Sequence, residues 1–371
     1  MNDSLLPLPE GIRSRFVDNR HGLSMHVLEA GFTGGDRPAL LLLHGFPELA
    51  YSWRKVMLPL AEAGFHVIAP DQRGYGRTTG WDGDYDGDVA SFRLANLATD
   101  ALGLLAALKL DSVAAVIGHD FGSPVAACCA LARPDVFRSV ALMSAPFAGP
   151  PAFVAAPAPG PDLHAELAQL PRPRKHYQWH YSTREAEADM RFAPQGLHDF
   201  LRAYYHHKSA DWPGNRPFAL AARSAAEMAK LPDYYVMDLN KGMAETVAPQ
   251  MPSAAQIAAC RWLPDAELAV YAAEFARTGF QGGLNWYRCA TEGVNADLQL
   301  LAGRTIDVPA CFIAGRSDWG AWQSPGALEA MQASACRQMR GCHWVDGAGH
   351  WVQQEQPAEV ARRLLQFIGR G

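Results

Sequence analysis

Short apolar runs alternate with longer amphipathic stretches through the first part of the chain. The runs Ala39 to His44, Phe65 to Pro70, Ser112 to Gly118 and Ser139 to Ser144 are brief and rich in Val, Ile and Leu, as buried strands require. Between them, Tyr51 to Ala63 and Ala90 to Leu108 read as helices, and this alternation predicts a mostly parallel α/β sheet flanked by helices. From Asp162 to about Gly303 the strand pattern disappears. That stretch is filled with aromatic residues, helix formers and prolines, as in Tyr177-Gln178-Trp179-His180-Tyr181 and Ala203-Tyr204-Tyr205-His206-His207, and is expected to be a helical insertion. Val308 to Ala314 and Cys342 to Asp346 then resume as strands, and Ala358 to Ile368 as a helix. The order predicts a core domain built from residues 1–147 and 304–371, with a helical cap domain, residues 148–303, inserted between its halves. Ser139 to Pro161 carries no charge, but Pro146, Pro150, Pro151, Pro157, Pro159 and Pro161 make it a linker rather than a membrane span.

Composition narrows the class. With 371 residues, 49% of them hydrophobic and 19% charged, the chain can bury a large core. A net charge of -5 with no dense Lys/Arg run leaves no footprint for nucleic acid. Met1-Asn2-Asp3-Ser4-Leu5 lacks the features of a secretory signal, so a cytoplasmic location is expected. Seven cysteines, without a CxxC pair, read as reduced thiols. Neither a metal nor a cofactor is expected. His206-His207 and the histidines at 176 and 180 lack spaced acidic or cysteine partners, and the loop Asp82, Asp84, Asp86, Asp88 lacks the terminal Glu of a calcium loop. No G-x-S-x-G, phosphate loop or G-x-G-x-x-G occurs. A homo-oligomer stays open.

The most informative motif is Gly118-His119-Asp120-Phe121-Gly122, which lies between a predicted strand and a predicted helix from Ser123 to Ala132. Flanking glycines fit a crowded turn that lifts one side chain out of the sheet. An aspartate there could cap the helix. It could equally act as a nucleophile, because a carboxylate with an ordinary pKa near ~4 is already ionised at neutral pH. Attack on an acyl carbon would give only an anhydride, so the fitting target is an electrophilic sp3 carbon, as in an epoxide or alkyl halide. Cleaving the resulting ester needs a base and an acid to orient it. Gly315-Arg316-Ser317-Asp318 and Gly347-Ala348-Gly349-His350 each follow a late predicted strand, in the order nucleophile, acid, histidine. His44 suits a structural or oxyanion-loop role, and His119, next to Asp120 in the turn, should point elsewhere.

The set His44-Gly45-Phe46-Pro47-Glu48, Asp71-Gln72-Arg73-Gly74-Tyr75-Gly76-Arg77, the Asp120 turn and Gly349-His350-Trp351 resembles the epoxide hydrolases of the α/β-hydrolase superfamily over nearly the whole chain. The resemblance implies the α/β-hydrolase fold with a lid, and hydrolysis of a small hydrophobic epoxide by water to a vicinal diol through an Asp120 ester. It also implies catalytic roles for Asp120, Asp318 and His350, and backbone N–H groups of Phe46 and Phe121 as the oxyanion hole. Thr278 to Arg288 resembles the family segment carrying one ring-opening tyrosine, which places that role on Tyr287. The family's Tyr-Gln pair matches Tyr177-Gln178, with Tyr181 the competing tyrosine, and Gln178, Trp179 and Tyr181 are expected to line the substrate pocket. Haloalkane dehalogenases share two of these motifs but often place a Trp donor after the nucleophile, where this chain has Phe121. Fluoroacetate dehalogenases place arginines there, where this chain has Phe121-Gly122-Ser123-Pro124. A dehalogenase using the same triad is one alternative and a catalytically silent binding protein another. Trp212 to Arg261 departs from the vertebrate-type pattern, which leaves the pocket shape open.

Overall fold

The computed structural model describes residues 6–33, 35–154 and 162–369. Met1 to Leu5 and the linker prolines Pro157, Pro159 and Pro161 lie outside the described residues. Among the described residues there are ten strands: β1 (Ile12–Asp18), β2 (Ser24–Ala30), β3 (Ala39–Leu43), β4 (His66–Pro70), β5 (Ala115–His119), β6 (Val140–Met143), β7 (Arg174–His176), β8 (Val236–Asp238), β9 (Ile306–Gly315) and β10 (Cys336–Val345). Eight form one sheet in the order β1-β2-β4-β3-β5-β6-β9-β10. From β4 to β10 every neighbouring pair is parallel.

The strands predicted from apolar runs are all present, and in β3 to β6 and β9 nearly every residue is buried, on both sheet faces. In β3, Leu41 and Leu43 enter one apolar cluster while Leu40 and Leu42 enter the other, and β5, β6 and β9 divide their side chains likewise. The helices Arg54–Glu62 and Pro357–Ile368 cover one face; Val360, Ala361, Leu364 and Phe367 form the apolar stripe of the second. Leu94–Ala107 and Gly122–Ala132 cover the other face. That cluster continues into the segment between β6 and β9, taking in Leu201, Tyr205, Leu268 and Leu284.

Two features depart from the sequence expectation. The antiparallel strands β1 and β2 carry too many polar residues to read as strands. Phe16 is exposed, while Arg13, Arg15 and His66 converge on the buried Glu29 carboxylate at 2.9, 2.5 and 2.9 Å. Burial raises the Glu29 pKa, but these partners outweigh it and bring it down to about 2. The insertion, expected to be without strands, holds the short antiparallel pair β7 and β8, which tethers the start of its second helix. Otherwise it is helical, with Leu197–Lys208, Asp265–Thr278 and Gln281–Thr291 its longest helices.

This segment is seamed tightly to the loops at the carboxyl ends of the strands. The Trp286 indole donates to Arg73 O at 3.0 Å, the Tyr205 hydroxyl to Pro47 O at 2.6 Å, and Ser52 and Tyr271 hydroxyls meet at 2.8 Å. At Gly74 (φ +92°) and Gly282 the two backbones touch: a Cβ on Gly74 would lie 2.6 Å from Gly282 C, and one on Gly282 would lie 2.2 Å from Gly74 O. The seven cysteines are free thiols. Among the described residues no helix is long and apolar enough to cross a membrane.

Because the neighbour at that contact is backbone, Gly282→Ala is expected to destabilise the fold by about 1–3 kcal/mol, read as a lower urea midpoint with an unchanged slope.

Candidate active site

The turn after β5 is set by sterics. Asp120 has φ +51°, in the left-handed region, between β5 and the helix Gly122–Ala132. Its N–H donates to Met143 O at 3.1 Å and its carbonyl accepts from Ser123 N at 3.0 Å. Side chains around it are excluded. A Cβ at Gly118 would lie 2.0 Å from Gly122 O, one at Gly122 would lie 2.3 Å from Leu43 O, and one at Gly45 would lie 2.4 Å from Asp120 Cβ. These three glycines let three backbone segments close around one aspartate, whose unfavourable dihedral is of the kind found at functional sites.

The closure aims the carboxylate. Phe46 N–H donates to Asp120 Oδ1 at 2.8 Å, and Oδ2 lies 3.2 Å from His350 Nε2. The latter pair is close but not aligned as a hydrogen bond, so Nε2 keeps no bonded partner. On the other side of the ring, Nδ1 is 3.0 Å from Asp318 Oδ1, which also accepts from Gly320 N at 2.7 Å. A carboxylate at Nδ1 assigns the proton to that nitrogen and leaves Nε2 as the base facing Asp120.

Burial opposes ionisation of Asp120, but His350, Lys208 and His119 outweigh it and hold its pKa well below the usual carboxylate range. Asp318 behaves similarly: burial raises its pKa, and the charge and hydrogen bond of His350 lower it further than burial lifts it.

Behind the turn lies a network that carries no local sequence signal. His119 Nδ1 is 2.6 Å from Glu48 Oε2, and Nε2 is 2.7 Å from His350 O. Both partners are acceptors, so both nitrogens donate and His119 is an imidazolium paired with Glu48. Burial alone would lower the His119 pKa and raise that of Glu48; their mutual attraction reverses both. Glu48 also accepts from Gly45 N at 3.3 Å, Gln353 Nε2 at 2.9 Å and Gln354 Nε2 at 3.2 Å. With both nitrogens committed, His119 has none left to serve as a base. His44 is engaged too, Nδ1 lying 2.9 Å from Gly45 O while Nε2 accepts from Gln72 N at 3.1 Å.

Two phenols from the helical segment meet this floor. Tyr287, on Gln281–Thr291, stands edge-on to Phe46 and Phe121 with ring centroids 5.4 and 5.1 Å away. Tyr177, which opens the helix Tyr177–Tyr181, lies 5.7 Å from Tyr287 by centroid. Burial first raises the pKa of each well above the ordinary phenol value; Asp120 adds to the rise for both, and Tyr177 to that of Tyr287. Both are therefore neutral donors. Tyr181 packs against the same rings, but its hydroxyl is given to Tyr204 at 3.2 Å. Gln178 Nε2 sits 3.4 Å from the Tyr177 hydroxyl. Trp179 is not brought to the centre. It is partly exposed and lines, with His176, Gln178 and Arg223, an outer cavity of about 270 Å³.

Sequence reasoning passed over several groups here. The Tyr75 and Tyr235 hydroxyls are buried without a partner, and the Tyr235 ring lies 5.3 Å from Tyr177. The buried Lys208 ammonium sits 5.1–5.8 Å from the ring centres of Tyr204, Tyr234, Tyr235 and Trp351. At the surface, Asp84 and Asp86 turn their backbone N–H groups onto Asp82 and Asp84 side chains, and Asp86 pairs with Arg184. Among the described residues no group of three His, Cys, Asp or Glu is placed to hold a metal.

Comparison with known proteins gives the family of the chain. Residues 38–357 match the family described as alpha/beta hydrolase fold. The chain is 33% identical to epoxide hydrolase A of Mycobacterium tuberculosis, over 95% of this chain and 96% of that one. It is 30% identical to an epoxide hydrolase of Caballeronia sordidicola, over 99% and 97%. Among solved structures, an epoxide hydrolase from an endophytic Streptomyces superposes with a TM-score of 0.77 at 30% identity, covering 97% of this chain and 96% of that one. Potato epoxide hydrolase I gives 0.72 at 29% identity, covering 97% and 100%.

Truncating one partner of the buried ion pair leaves an uncompensated charge. Glu48→Ala should cost about 3–5 kcal/mol, measured by urea denaturation, because His119 and three further donors lose their acceptor together.

Proposed function

The chain belongs to the alpha/beta hydrolase family and, within it, to the epoxide hydrolases, and from that membership we propose how its residues divide the work. Residues 1–147 and 304–371 act as the catalytic core and 148–303 as the cap. Asp120 attacks one carbon of the epoxide ring as the C–O bond on that carbon breaks. The leaving oxygen is a poor one, and it takes a proton from the pair Tyr177 and Tyr287. The product of this step is a hydroxyalkyl ester of Asp120. His350 Nε2 then removes a proton from water, with Asp318 holding the imidazole. The hydroxide adds to the ester carbonyl, the tetrahedral oxyanion rests on the N–H groups of Phe46 and Phe121, and collapse expels the diol alkoxide, which takes the proton held by His350. The proton left on the Asp120 carboxyl returns to the phenolate formed in the first step, so the cycle closes with Asp120 ionised and both tyrosines neutral. Each such N–H donor is worth roughly 100- to 1,000-fold in rate.

The observation that carries this reading is geometric: the Asp120 carboxylate, held by Phe46 N–H and 3.2 Å from His350 Nε2, lies beside Phe46 and Phe121, against whose rings Tyr287 stands edge-on with Tyr177 packed behind it. A halide would leave without a proton, and Phe121 offers no side-chain donor to cradle it. The aromatic walls, Phe46, Phe121, Tyr181 and Trp286, favour a hydrophobic epoxide.

Without its base the ester should persist. His350→Gln exposed to styrene oxide is expected to gain the full mass of the epoxide at Asp120, detected by intact mass spectrometry and peptide mapping. An alkyl adduct lacking halide from a bromoalkane, with none from epoxides, would make the protein a dehalogenase; no adduct from a folded variant whose parent is also inactive would leave a binding protein.

The pKa shifts set the pH profile of the first step. A lowered Asp120 stays ionised as pH falls through the ordinary carboxylate range, and raised phenols stay protonated as pH rises towards 10. Single-turnover ester formation should therefore be flat from about pH 5 to about pH 9, and Tyr287→Phe should lower it by roughly 100- to 10,000-fold across that window.

A further inference from the structure

The mechanism above uses no residue beyond His350 in the sequence, yet the short helix Val352–Glu355 that follows it ends in a buried glutamate with unusual commitments. Glu355 Oε2 accepts from Gly349 N at 2.9 Å and Oε1 accepts from Trp351 N at 3.0 Å, so one carboxylate grips the residues on both sides of the base. Oε2 also accepts from Ala210 N at 2.8 Å, just beyond the cap helix Leu197–Lys208. The same seam is closed by His350 N donating to Lys208 O at 2.9 Å and by the Trp351 indole donating to Tyr205 O at 2.8 Å. A Cβ at Gly349 would lie 2.5 Å from Ser209 C and 2.6 Å from Ala210 N, so turn and cap meet backbone to backbone.

From this geometry, and resting on the reading of His350 as the hydrolytic base, we propose that Glu355 is a positioning residue that fastens the His350 turn to the end of the cap helix and thereby serves the ester-cleaving step alone. The first step is supported elsewhere. Asp120 is aimed by the turn after β5 and by Phe46 N–H, and the two tyrosines stand on Gln281–Thr291 and Tyr177–Tyr181, none of which bonds to Glu355. Burial pushes the Glu355 carboxyl up to about 8, against the pull of its three N–H bonds and with a further push from Asp211. Three donors converging on one side chain call for the two acceptor oxygens of a carboxyl group, because the amide of glutamine would turn its own N–H groups toward one of them.

The test separates the two half-reactions. Parent, Glu355→Gln and Gln356→Ala are mixed with styrene oxide, quenched at intervals and read by intact mass for the rise and decay of the Asp120 ester. Gln356 Nε2 ties Gly347 O at 3.1 Å from the exposed side of the same turn and serves as the control. In Glu355→Gln, ester formation should stay within about 2-fold of the parent while ester decay slows by about 10- to 100-fold, the size of effect that a displacement near 1 Å produces. Gln356→Ala should change neither rate by more than about 2-fold. Equal loss of both rates in Glu355→Gln, or no change in either, overturns the proposal. If that variant does not fold, Glu355→Asp, which keeps the carboxyl oxygens but withdraws them by one methylene, is read in the same way and against the same outcomes. A parent, and a His350→Gln variant, that form no ester would instead remove the proposed function, and this inference with it.

Discussion

Keeping a carboxylate ionised while most of it is out of water is the constraint around which this molecule is organised. An isolated buried charge would take up a proton, so every unit of ionisation at Asp120 has to be supported by something brought close to it. The support comes from widely separated parts of the chain: an N–H from Phe46, an imidazole from His350, a cation from Lys208 and an imidazolium at His119. The first follows β3, the second follows β10, the third ends a cap helix, and the fourth is the last residue of β5. The parallel sheet satisfies this requirement by delivering several chain segments to one edge, where ligands of open α/β folds also bind.

The same constraint explains why the cap is a wall of the site. Its tyrosines must remain neutral close to a negative charge, which needs a dry, closely fitted interface. That interface is built from hydrogen bonds such as Tyr205 to Pro47 and Ser52 to Tyr271, from the buried Arg54 reaching Glu267, and from an apolar cluster shared between cap and sheet. Water excluded from such a chamber strengthens every remaining electrostatic contact inside it.

Much of the central machinery was legible in the chain because it depends on short-range signals. Asp120 stands between glycines that only a tight turn requires, and Asp318 and His350 each follow an apolar run and a glycine. The strands β3 to β6 and β9 are apolar on both faces, so they read without knowledge of their neighbours. β1 and β2 did not, because the partly exposed Arg13 and Arg15 and the buried Glu29 give a charge pattern that resembles a loop until the ladder, with His66, brings them together. The ladder of β7 and β8 joins residues sixty positions apart in an otherwise helical region, and no local pattern marks it. Glu48, Lys208 and Glu355 escaped for the same reason: each is an ordinary charged residue until the fold supplies its partners. The tyrosines were reached through resemblance; in the structure both Tyr177 and Tyr181 pack against Tyr287, and the Tyr181 hydroxyl donates to Tyr204.

The contact between Gly74 and Gly282 bears on how such a protein diversifies. One glycine belongs to the core and the other to the inserted segment, so neither can acquire a side chain unless the backbone of the other gives way. A lineage exploring new substrates therefore has little freedom at this margin, where Tyr287 is carried. Chimeras between relatives follow the same grain: a transplanted cap is compatible when its own margin brings the glycine that the recipient core already expects.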